Sequence, residues 1–300
     1  MIEIILKIIP IILVFILGYV VKSIKIFKKE DGDLFLKVVF YIAVPALILL
    51  SITKIKLTLE FIYLPLIAIL TIIATFILSF LIGKLLKLEQ ITFGVFLIGS
   101  IIMNTGFTFP FILAVYGKEG LAMISLFDFG NALLVYTFVY YLACKYGSNS
   151  QDSKTMIKKL TMSPPIWALI IAIILNLTGL QLPNIASNFF HVIGDITIPL
   201  IMLSLGIYFS PKIIRIVPLS LAIIIRMVFG LLIGIFFVKL FNLEGLLRII
   251  VLIGSAAPVG YNTLTFSSLE NLDKEFAASL VSIAILIGLI FVPLLMFMLS

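Results

Sequence analysis

The sequence predicts an all-α integral membrane protein, with ten transmembrane helices arranged as two inverted five-helix repeats whose broken helices, spans 4 and 9, cross. Three observations predict it. The 300 residues are 63% hydrophobic and only 12% charged, against about 25% charged in a soluble domain. The apolar residues fall in blocks near the length of a bilayer-crossing helix, about 20 residues. Landmarks of the first half recur in the second at an offset close to 155 residues.

The apolar blocks read as spans at 4–21, 34–52, 61–83, 91–116, 119–143, 163–180, 186–208, 216–238, 246–269 and 276–299. The loops between them are short, so the membrane part is the working part. A β-barrel is excluded, because barrel strands alternate apolar and polar residues over about ten positions, whereas these runs are continuous and helix-length. The first span is expected to be retained: Glu3 stands where a signal peptide carries basic residues, and Lys22, Lys25, Lys28 and Lys29 follow the apolar run. Cys144 is the only cysteine, which rules out an intramolecular disulfide and a cysteine-based metal site. No cofactor or metal site is read from the sequence.

The net charge of +7 is a topology signal here and not a nucleic-acid footprint. Loops after the odd-numbered spans, with their adjoining turns, hold 14 Lys and Arg, and the remaining loops with the N-terminal stretch hold 6. The positive-inside rule puts the odd loops in the cytoplasm, and with ten spans both termini outside. The polar stretch GSNSQDSKTMIKK, Gly147 to Lys159, is a cytoplasmic linker. The expected organisation is a first repeat over 1–146, a linker over 147–162 and a second, inverted repeat over 163–300.

The repeat is legible in KLLKLEQITFGVFLIGS (84–100) against KLFNLEGLLRIIVLIGS (239–255), which share eight of 17 residues. Pro45 and Pro199, Pro65 and Pro218, and Lys118-Glu119 and Lys274-Glu275 recur at nearly the same offset. A unit with an odd number of spans inserts upside down when duplicated, the inverted repeat of many secondary transporters.

Spans 4 and 9 are each interrupted. Span 4 carries Asn104-Thr105-Gly106 and then Pro110, and span 9 carries Pro258-Val259-Gly260-Tyr261-Asn262. Proline removes a backbone donor and glycine weakens a helix, which lipid tolerates only where the freed groups find partners or line a cavity. At equivalent places in oppositely inserted repeats, the two breaks can cross at the midplane, where half-helix N-termini form a site for a carboxylate. Asn104, Thr105, Gly106, Pro110, Pro258, Gly260 and Asn262 are the candidate substrate-binding residues. Ordinary proline kinks are the plainer reading, and the repeated position weighs against it.

Three charges lie deep inside spans, Asp128, Asp195 and Arg226, each about ten residues from the nearest face at 1.5 Å per residue. Buried charges in a membrane are costly and are functional candidates. Ser125, Asp128 and Asn131 share one helical face, and the corresponding stretch around Ala284 and Ile287 is apolar. Asp128, with Asn131 and Asp195, is the candidate for proton or cation coupling, because a low dielectric penalises a bare carboxylate. Arg226 either meets an anionic substrate or forms a structural ion pair with Asp128 or Asp195. His191, the only histidine, is a minor candidate for proton relay.

Fragments in order along the chain resemble the auxin efflux carrier family in its short prokaryotic form. They are VFYIAVPALIL (39–49), MNTGFTFPFILAVYGKEG (103–120), FDFGNALLVY (127–136), SPPIWALIIAIILNLTGLQLP (163–183), IPLIMLSLG (198–206), Arg226 and PVGYN (258–262). The resemblance covers essentially the whole chain. It implies a scaffold of spans 1, 2, 6 and 7, a mobile transport domain of spans 3–5 and 8–10, an elevator-type movement, homodimers through the scaffold, and an organic-acid substrate. The chain lacks the long cytoplasmic loop of the plant carriers and has no Asn-Pro pair in span 4, so auxin itself is not implied. The short loop and the Ile/Lys-rich composition point to a bacterium or archaeon.

The function expected is secondary active transport of a small organic anion across the cytoplasmic membrane, coupled to a proton or Na+. A sodium-coupled symporter of the bile-acid type is the alternative within transport: Asn104, Thr105, Asn262 and Thr263 stand at the breaks, but no acid stands with them. An intramembrane aspartyl protease built on Asp128 and Asp195 is the alternative from another class, and its YD and GxGD motifs are absent. A passive channel is disfavoured by the lack of a charged ring.

Overall fold

The protein is described by a computed structural model over residues 2–53, 55, 57–147, 164–209 and 212–299. All but the first residue of the expected linker lies outside the described residues. In chain order the helices are α1 (Ile2–Ser23), α2 (Lys29–Val38), α3 (Val44–Ile52), α4 (Tyr63–Leu85), α5 (Gln90–Ile101), α6 (Thr105–Leu134), α7 (Tyr140–Tyr146), α8 (Pro164–Thr178), α9 (Asn184–Gly194), α10 (Thr197–Tyr208), α11 (Ile216–Ile223), α12 (Gly230–Leu240), α13 (Gly245–Ser255), α14 (Asn262–Leu269) and α15 (Lys274–Leu299). Wider π turns join α2 to α3 (Val39–Ala43), α6 to α7 (Val135–Val139) and α11 to α12 (Ile224–Phe229). α6 turns at Gly117, whose φ of 65° and ψ of −157° are not helical.

Among the described residues, seven stretches are long and apolar enough to cross a membrane: Leu6–Ser23, Glu30–Ile52, Leu59–Leu85, Thr105–Tyr146, Asn184–Tyr208, Ile216–Leu240 and Lys274–Leu299. Three further apolar helices, Gln90–Ile101, Pro164–Thr178 and Gly245–Ser255, are shorter. The chain is therefore an all-helical, multi-pass membrane protein. The stretch Asn184–Tyr208 carries a two-residue turn, Asp195 and Ile196, between α9 and α10.

The residues group into two compact units. The first gathers Met1–Phe61, Gly106–Leu126 and Met162–Phe209, and the second Ile62–Thr105, Phe127–Thr161 and Ser210–Ser300. In the first unit α1 lies against α10. Lipid offers no hydrophobic drive between helices, so close approach relies on small residues. Gly18 faces the backbone of Leu203 and Gly206, and Gly206 faces the Phe15 carbonyl, leaving no room for a Cβ at either. Lys22 Nζ donates to the Phe209 carbonyl at 2.6 Å, just beyond the end of α10. α8 packs on α3, and Asn176 Nδ2 donates to the carbonyls of Ile52 and Ile55 at 2.7 and 2.6 Å, closing carbonyls that a helix end leaves orphaned.

In the second unit α4 packs on α5, α12 and α13, and α5 on α7, α11 and α15. Gly130 in α6 sits against the Pro65 carbonyl, where a side chain would collide. Asp273 starts α15: its Oδ1 accepts the Phe276 N–H at 3.0 Å, and its Oδ2 accepts Thr92 Oγ1 at 2.8 Å and pairs with Arg215 Nε at 3.2 Å.

Candidate functional site: the crossing of two interrupted helices

Within the second unit, two helices stop and restart. α5 ends at Ile101 and α6 begins at Thr105; α13 ends at Ser255 and α14 begins at Asn262. Asn and Thr favour such starts because their side chains compete for backbone partners. In the second break, Pro258 offers no N–H and Gly260 is the only residue that fits: a Cβ there would strike Ile102. The first break lies at 102–104, ahead of Pro110, and α6 runs on through Pro110. The expected break, Asn104-Thr105-Gly106 and then Pro110, is therefore narrowed to its start: Asn104 lies in the interruption, while Thr105, Gly106 and Pro110 are already helical.

The two broken segments pair with each other. The Asn104 N–H donates to the Pro258 carbonyl at 2.9 Å, and the Gly260 N–H donates to the Ile102 carbonyl at 2.9 Å. Met103 thus stands opposite Val259 in an antiparallel bridge. Met103 and Val259 are 2% and 0% exposed, so their own N–H and C=O groups, which point away from the partner in this kind of pair, need other partners.

Asn131 supplies them for Met103. Its Nδ2 donates to the Met103 carbonyl at 3.1 Å, and its Oδ1 accepts the Met103 N–H at 3.4 Å. The carboxamide acts as a third strand. The Val259 carbonyl accepts Asn104 Nδ2 at 3.4 Å. Asp128, one turn before Asn131, holds this arrangement in place: its Oδ1 accepts Asn131 Nδ2 at 2.9 Å and the Thr105 hydroxyl. Ser125, third on the predicted polar face, instead bonds back to the Leu121 carbonyl at 2.7 Å.

Arg226 lies in the π turn between α11 and α12 and is 0% exposed. Its Nε, Nη1 and Nη2 donate to the carbonyls of Ala257, Ile101 and Ser255 at 3.3, 3.3 and 2.5 Å. Ile101 and Ser255 are the last residues of α5 and α13. The guanidinium therefore sits where both helices expose orphan carbonyls and the negative ends of their dipoles. The ion-pair expectation for Arg226 is corrected: its donors go to carbonyls, and Asp128 is bonded to Thr105 and Asn131 instead.

Residues 3–296 match a family described as Membrane transport protein. The chain belongs to that family. It is the auxin efflux carrier family that the sequence fragments resemble, and its members are transporters and not enzymes. The chain is 30% identical over 294 residues to an uncharacterized transporter of Methanocaldococcus jannaschii, covering 95% of both. It is 24% identical over 294 residues to an uncharacterized transporter of Methanothermobacter thermautotrophicus, covering 96% of this chain and 95% of that one.

The remaining candidates of this membrane transport protein divide between the units. Asn262 opens α14, is partly exposed, and its side chain makes no hydrogen bond among the described residues. Gly106 and Pro110 belong to the first unit, as does Asp195, which is exposed between α9 and α10 and forms no ion pair among the described residues. His191, also in the first unit, has Lys118 Nζ at 3.3 and 3.1 Å from its two ring nitrogens.

Two features escaped the sequence reading. Gly230 stands where a Cβ would meet both Arg226 Nη2 and the Ser255 carbonyl; its place four residues after Arg226 was the available signal. Glu270, fully buried, accepts Tyr140 Oη at 2.7 Å through Oε1, while Oε2 has no partner among the described residues. Nothing local marks Glu270, because it follows the helix end in a loop that reads as solvated.

Proposed function

We propose that this protein is a secondary active transporter that moves a small organic anion, such as a carboxylic acid, across the cytoplasmic membrane by an elevator-type movement. The observation that carries the proposal is the pairing of the two interrupted segments at Met103 and Val259. Two half-helices, α6 and α14, start directly from that pairing, and a helix start offers unsatisfied N–H groups and a positive dipole end to an anion. Asn104 and Asn262, whose amide makes no hydrogen bond among the described residues, stand at those starts. The second unit, which carries the pairing, is assembled largely from the segments that the family resemblance assigns to the mobile domain, and the first from those of the scaffold.

Ten crossings follow from this reading. α5 with the part of α6 before Gly117 makes one, the remainder of α6 with α7 makes the next, and α13 with α14 makes the ninth. The charge bias of the loops then places both termini outside, and the scaffold forms the homodimer contact. Asp128 serves coupling, because a proton or cation bound there lowers the cost of carrying a carboxylate through the barrier.

A thermal-shift screen of organic acids on purified protein tests the function, since a ligand stabilises the state it binds. At least one carboxylate is expected to raise the melting temperature. Asn104→Ala and Asn262→Ala should each weaken its binding several-fold, as a hydrogen bond to a charged group contributes about 1.5–3 kcal/mol. Unchanged affinity in both folded variants would remove the crossing as the binding site.

A further inference from the structure

We propose that Arg226 is a built-in cation, a positioning residue that takes the place a coupling sodium ion would fill at the carbonyl ends of the two broken helices, so that the transporter works without sodium. The inference rests on the reading of the protein as a secondary transporter and decides which ion that transporter can use.

When a helix stops inside a membrane, its last carbonyls lack intrahelical partners and carry partial negative charge. Here two such ends, Ile101 of α5 and Ser255 of α13, converge with the Ala257 carbonyl. In transporters with discontinuous helices, unwound carbonyls and half-helix C-terminal ends are where Na+ is coordinated. In this protein one guanidinium donates to all three carbonyls and is 0% exposed. The guanidinium keeps its charge when buried, and its fixed fork of donors suits several carbonyls at once, which an ammonium on a flexible stem does not.

The surroundings are shaped for that group. The π turn Ile224–Phe229 widens the helix around Arg226, and such turns cluster at functional places. Gly230 leaves the space in which Nη2 reaches the Ser255 carbonyl. Arg226 makes no ion pair among the described residues, and its donors meet the carbonyl ends of the two helices. A sodium ion added at the same carbonyls would meet a cation already in place.

The experiment measures the melting temperature of ligand-free protein in sodium, potassium and N-methylglucamine chloride at one ionic strength. The wild type is expected to melt at the same temperature in all three; selective stabilisation by sodium over potassium would overturn the proposal. In Arg226→Ala, a lowered midpoint should be restored by free guanidinium, or by sodium more than by potassium. An Arg226→Met variant as stable as the wild type would overturn it too, since the charge would then be dispensable. If Arg226→Ala yields no folded protein, the wild-type comparison still decides. None of these readings uses an organic acid, so failure here is distinct from failure of the substrate proposal.

Discussion

Replacing Asn131 by leucine should cost this protein about 3 kcal/mol, because the third strand of the crossing is a single carboxamide. Leucine matches the volume and offers no polar atom. The Met103 carbonyl loses its 3.1 Å bond and the Met103 N–H its 3.4 Å bond, and Met103 is 2% exposed, so water does not replace them. An orphaned buried group costs about 1–3 kcal/mol; the longer bond belongs near the low end and the shorter near the middle. The added apolar surface offsets little, because lipid is already as apolar as leucine. With roughly 2–4 °C per kcal/mol, the melting temperature should fall by at least about 6 °C. Cys144, the single and partly buried thiol, reports unfolding through a thiol-reactive dye. Asn262→Leu is the control, since that amide makes no hydrogen bond among the described residues. A midpoint for Asn131→Leu within about 2 °C of the wild type, or no lower than the control, would refute the argument that Asn131 completes the pairing.

Asp128→Asn should leave the protein folded and binding its ligand while transport in proteoliposomes loses its dependence on pH or a proton gradient; unaltered ion and pH dependence in a folded, active variant would end the coupling role. Tyr140→Phe should lower stability by about 1–3 kcal/mol, because Glu270 Oε1 loses its donor and Oε2 has none among the described residues. Adding Glu270→Leu to that variant should recover much of the loss, and strictly additive melting shifts in the double-mutant cycle would show that the two side chains do not act as a pair.

The sequence by itself determined what depends on neighbours along the chain. Continuous apolar runs set the membrane class, because every lipid-exposed stretch must be both helical and apolar. Asn104-Thr105 and Pro258 to Asn262 announced where two helices stop, because propensity and a missing N–H act locally. Pro110 shows the complementary case: its local signal is strong, yet the chain is already interrupted at Met103, seven residues earlier, and the helix runs on through the proline. What the tertiary structure decided is who answers the exposed backbone. Asn131 serves Met103 from 28 residues away, Arg226 serves Ile101 from 125, and Tyr140 meets Glu270 across 130. Asp128 and Arg226 could be read from the sequence as costly charges, but not that carbonyls would receive one and an amide and a hydroxyl the other. A hydrogen bond needs about 3 Å of proximity and no fixed spacing along the chain, so its partner leaves no periodic trace; only folding brings the two groups together.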